Sequence, residues 1–92
     1  MYVLSAKLTF YIPGAGSLKD KRQVRRSIID KAKQRFNASI SEVDAQDAHQ
    51  KLVLGIAVVS SEATHAENSL DEIIRFLDNN PNAELTEIVK VG

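Results

Sequence analysis

The ten residues KLVLGIAVVS, positions 51 to 60, constrain the fold more than any other segment. Leu52, Leu54, Ile56 and Val58 fall on one side of an extended chain, and Val53, Gly55, Ala57 and Val59 on the other. A strand that is apolar on both sides belongs in the middle of a sheet, where both faces are shielded from water. The rest of the chain must therefore supply strands on either side of it and something to cover at least one face.

The flanking segments read accordingly. Tyr2, Leu4, Ala6, Leu8, Phe10 and Ile12 alternate with Val3, Ser5, Lys7, Thr9 and Tyr11, the period of two expected of a strand with one buried face. This run is apolar, but it lacks a basic leader and carries Lys7, so it reads as a strand rather than a targeting segment. Pro13, Gly14 and Gly16 end the pattern, and Ser17 with Asp20 three residues later forms an N-cap signature. A helix is predicted over about 18 to 36, with Val24, Ile28, Ala32 and Phe36 on one stripe and Leu18 and Ile29 at its border. From Ala38 to Ala45 the apolar positions shift from even (Ala38, Ile40) to odd (Val43, Ala45), which predicts a short edge strand with a bulge near Ser41 or Glu42. After the apolar strand, Ser60 or Ser61 is the expected cap of a second helix carrying Ala63, Ala66, Leu70, Ile73, Ile74 and Leu77, which Asn79-Asn80-Pro81 stops. Glu84 to Val91 forms a last strand.

The order β-α-β-β-α-β, with right-handed crossovers, gives a split-βαβ, ferredoxin-like α+β fold: an antiparallel four-stranded sheet with both helices on one face and the first and third strands central. The 92 residues make one domain, 1–92, without linker or repeat. On the face without helices this leaves Val53, Gly55, Ala57 and Val59 beside the odd residues of the first strand. Small apolar residues on an uncovered face point to burial against another chain, and a homodimer through these four positions is expected.

The formal net charge is zero, but only by cancellation. Between Leu18 and Arg35 there are eight basic residues and two acids, a net of +6; the remainder holds four basic and ten acidic residues, a net of −6. Lys19, Arg22, Arg26 and Lys33 fall within about 60° of one another on a helical projection, away from the apolar stripe. Either the acids of the second helix (Glu62, Glu67, Asp71, Glu72, Asp78) neutralise this row, which serves solubility alone, or the row faces a polyanion. Lys21 and Arg25 are anomalous, since the projection puts both inside the apolar stripe. They either snorkel along the sheet edge or meet an anion or acidic partner there.

Other constellations carry less. The Gly14-Ala15-Gly16-Ser17 turn matches no phosphate-loop spacing. Glu42, Asp44, Asp47 and His49 read as turn-forming residues rather than metal ligands, because no cysteine and only two histidines are available. The absence of cysteine suits a reducing, cytoplasmic setting. No spacing nominates a catalytic nucleophile, base or cofactor, so an enzyme is not expected, and no apolar run is long enough to span a membrane. The central strands lack the stacking aromatics of an RNA-recognition motif, Tyr11 excepted.

Three stretches carry a family resemblance over essentially the full length: SLKDKR at 17 to 22, RFN at 35 to 37, and EVDAQDAHQ at 42 to 50 followed by LGIAVVSS. The chain resembles the YlxP-like family of small bacterial proteins, a domain of unknown function. That family usually carries Trp where His49 stands and an aliphatic residue where Arg25 stands. The resemblance implies a ferredoxin-like fold and genes lying among those for translation factors and ribosome maturation; it implies no enzymatic activity and no catalytic residues. With it, the expected function is that of an accessory factor contacting ribosomal or other structured RNA, with Lys19, Lys21, Arg22, Arg26 and Lys33 on phosphates. The alternative is a protein-interaction module, homodimeric through the open sheet face, whose basic helix docks an acidic protein.

Overall fold

A computed structural model of the chain describes residues 1–91. Its elements are β1 (Tyr2–Tyr11), α1 (Leu18–Arg35), β2 (Ser39–Asp44), β3 (Lys51–Ser60), α2 (Ala63–Asp78) and β4 (Glu84–Val91). The sheet has the order β2-β3-β1-β4, with every neighbouring pair antiparallel. The fold is ferredoxin-like, with the two doubly apolar and alternating strands at the centre and the more polar ones at the edges.

Register follows the alternation. Ala6, Leu8, Phe10 and Ile12 are buried, and so are Leu52, Leu54, Ile56 and Val58, their partners of the same parity along the β1–β3 ladder. Onto this layer α1 brings Ile28 and Ala32, and α2 brings Ala66, Leu70, Ile73, Ile74 and Leu77. The Cα envelope measures 42 × 22 × 16 Å; the thin dimension has room for one sheet and one helical layer, so the opposite sheet face stays bare.

Helix α1 starts as its sequence demands. The Asp20 N–H donates to Ser17 Oγ at 3.2 Å, and the Asp20 carboxylate reaches back to accept from the Gly16 N–H at 3.0 Å. Helix α2 starts differently from the expectation. Its N-cap is Glu62, without a side-chain capping bond, because Ser60 Oγ is turned to accept from the Glu62 N–H and so shapes the turn before the helix.

The bulge in β2 lies between Glu42 and Asp44, one residue beyond the expected place. Its extra residue is Val43, whose side chain swings onto the open face and rests on Gly55: a Cβ at Gly55 would meet Val43 Cγ1 at 2.8 Å. The hairpin then turns through Ala45, which has a positive φ of 54°.

The two helices overlap over only part of α1. Phe36 at its end meets Phe76 of α2, and a cleft lined by Ile28, Lys31, Leu77 and Asn79 to Asn82 marks where α2 stops.

Candidate nucleic-acid interface

Six of the eight cations of α1 fall into two groups, one toward the sheet edge and one toward solvent, while Lys31 and Arg35 lie on the flank that meets α2. On the sheet side, Lys21 is 1% exposed, and its ammonium is enclosed by four oxygens: the carbonyls of Ala45 (2.8 Å), Gln46 (3.3 Å) and Lys51 (3.2 Å), and Glu42 Oε2 at 2.8 Å. An ammonium has three protons for these four neighbours. The two shortest contacts, to the Ala45 carbonyl and to Glu42 Oε2, are both 2.8 Å, so the carboxylate shares the ammonium's protons with the carbonyls. Arg25, one turn further along, donates to Glu42 Oε1 at 2.8 Å. The Glu42 side chain is 7% exposed and sits between the two cations. Burial by itself would raise its carboxyl; the contacts and charges of Lys21 and Arg25 outweigh that and hold it below the usual carboxylate range.

This arrangement removes Lys21 from the expected set of phosphate contacts. A side chain with no access to solvent and all its protons engaged cannot meet a ligand. The acidic partner anticipated for Lys21 and Arg25 is internal: it is Glu42, a buried strand residue rather than a turn acid. Its parity with Ile40 placed it on the helix-facing side of β2, a signal already present in the sequence. Lys21 therefore ties the turn of the β2–β3 hairpin to α1, and Arg25 closes the edge of that site.

On the solvent side, Lys19, Arg22, Arg26 and Lys33 are all exposed. Ion pairs within 4.0 Å among the described residues are Lys21–Glu42, Arg25–Glu42 and Lys90–Asp71, and none involves these four. Asp71 of α2 turns to Lys90 of β4 at 2.7 Å, away from α1. Asp30 follows Arg26 by one turn on the same side of the helix, and among the described residues it forms no pair within that distance. From Lys19 to Lys33 the row runs for about 21 Å, taking 1.5 Å per residue.

The open face needs a second correction. Val53 is 2% exposed within the single chain, enclosed by Thr9 and Asp44 on the strands at either side, and Val43 covers Gly55. Ala57 is half-buried and Val59 is 68% exposed. Exposed valines gather toward one end of the sheet, where Val59 opposes Val3, and Ser5 and Lys7 of β1 oppose Val91 and Val89 of β4, while Val43 and Tyr11 are exposed elsewhere.

No group of three or more His, Cys, Asp or Glu side chains placed to hold a metal occurs among the described residues. No helix among them is long and apolar enough to cross a membrane.

The family described as "Protein of unknown function (DUF503)" matches residues 3–90. The chain belongs to this family. A curated relative, "Uncharacterized protein YlxP" of Bacillus subtilis (strain 168), is 43% identical over 72 residues, which is 78% of each chain. Among solved structures, a de novo designed protein with ferredoxin fold superposes with a TM-score of 0.54 at 19% identity, covering 99% of this chain and 84% of the design. At that identity the likeness speaks to the fold alone, and it agrees with the strand order.

Proposed function

We propose that this protein is a cytoplasmic accessory factor that contacts ribosomal or other structured RNA through the outer side of α1, with Lys19, Arg22, Arg26 and Lys33 on successive phosphates. The observation that carries this reading is that all four cations are exposed and, among the described residues, none forms an ion pair within 4.0 Å. Holding like charges side by side along a helix destabilises it by a few tenths of a kcal/mol per pair. A polyanion relieves that repulsion. Phosphate contacts position a ligand without reading its bases, so binding is sequence-tolerant. Four neutralised phosphates on a single strand give a roughly fifty-fold loss of affinity between 50 and 200 mM salt. A fluorescence anisotropy titration of labelled ribosomal RNA fragments at several salt concentrations tests this; no binding at 50 mM, or a flat salt response, defeats it.

The second reading is a homodimer through the open sheet face, favoured by exposed Val3, Val59, Val89 and Val91 on adjacent strands. Light scattering of wild type and Val59→Lys decides it. A dimer that Val59→Lys converts to monomer supports the reading, and a wild type that stays monomeric at high concentration rejects it.

A further inference from the structure

Where the basic row ends, the chain builds a different kind of surface. Arg35, two residues beyond Lys33, lays its guanidinium over two phenyl rings, with Cζ 5.8 Å from the Phe36 centroid and 5.3 Å from that of Phe76. The two rings meet edge to face, 5.4 Å apart at 75°. Both are half-buried, and together with Glu72, Arg75 and Asn79 they line an open cleft of about 450 Å³. Among the described residues, neither arginine nor Glu72 has an ion-pair partner within 4.0 Å.

These groups match the chemistry of an unpaired nucleotide. A guanidinium fixed on aromatic rings is a rigid plane on which a base stacks, and such stacking does not depend on base identity. Arg75 offers a fork of donors to a phosphate, and the Asn79 amide with the Glu72 carboxylate can donate to and accept from a base edge. The cleft is within the size range of small-ligand sites.

We propose that this cleft between the C-terminal turn of α1 and the last turns of α2 stacks one unpaired RNA base on the Arg35–Phe76 platform, at the C-terminal end of the helix that carries the basic row. The proposal rests on the RNA reading above. It is tested by comparing a labelled twelve-nucleotide single-stranded RNA with an abasic strand of the same length and charge. Wild type should bind the base-bearing strand about five- to 150-fold more tightly, the span of one stacked base. Arg35→Lys, which keeps the charge and loses the plane, and Phe76→Leu, which keeps an apolar side chain in the core, should each reduce that preference toward one, with circular dichroism showing the fold intact. For Arg35→Lys the salt slope should be unchanged. Equal binding of both strands by wild type, or a preference that survives in both variants, overturns the stacking site while leaving the basic row standing. Wild type that binds neither strand at 50 mM salt defeats the row as well.

Discussion

Replacing Lys21 by Met keeps the length of the side chain and its methylene packing but deletes the ammonium. Four oxygens then lose their cation: three carbonyls at 2.8 to 3.3 Å and Glu42 Oε2 at 2.8 Å. Hydrogen bonds to a charged group are worth about 1.5–3 kcal/mol each, yet the three share one donor group and do not add. The better guide is the cost of breaking a buried ion pair by removing one partner, roughly 3–5 kcal/mol. Arg25 still holds Oε1, which places the expectation at the lower end. Against a total of about 5–15 kcal/mol for a domain, a loss of about 3 kcal/mol is a large fraction, and it corresponds to a drop of roughly 12–24 °C in melting temperature for a chain of this size. Urea and thermal unfolding followed by circular dichroism measure it, and the Lys21→Met/Glu42→Gln double variant should lose less than the sum of the two single variants. The pH dependence has a definite sign. Because the folded-state carboxyl is held below its usual range, Glu42 contributes stability that is present above the unfolded carboxylate pKa, about 4.3, and is lost as pH falls through the folded value. In Lys21→Met that acid-side loss should shrink, since burial then works against the charged form. A variant within about 1 kcal/mol of wild type, the range of an exposed lysine, would refute the assignment of Lys21 as a structural tie.

Three further outcomes are expected. Arg22→Glu with Arg26→Glu should leave the unfolding free energy within about 0.5 kcal/mol of wild type per site while abolishing RNA binding, because neither side chain is packed or paired; a large loss of stability would mean that the row is architectural. Gly55→Ala should cost roughly 1–3 kcal/mol in urea unfolding, and Val43→Ala should restore most of it, since the added methyl meets Val43 Cγ1 at 2.8 Å. Ser17→Ala should lower stability by about 1 kcal/mol by removing the acceptor of the Asp20 N–H, whereas Ser17→Asp should keep most of it.

The amino-acid sequence by itself determined the element order, the central place of the strand at 51–60, the cap at Ser17 and the outward row of Lys19, Arg22, Arg26 and Lys33. All of these rest on local periodicity or capping chemistry, which depends on residues close together in the chain. It also marked Lys21 and Arg25 as cations on the wrong side of a helix, without saying what they meet. Only the tertiary structure decided that, because Glu42 lies 17 residues from Arg25 and reaches it through the pairing of β2 beneath α1. The same holds for Val43 filling the space over Gly55, which depends on which side of a bulge a side chain leaves the strand. The Arg35–Phe36–Phe76 platform likewise exists only where the two helices meet. Spacing along the chain carries no information about such meetings, since the packing of whole elements sets them.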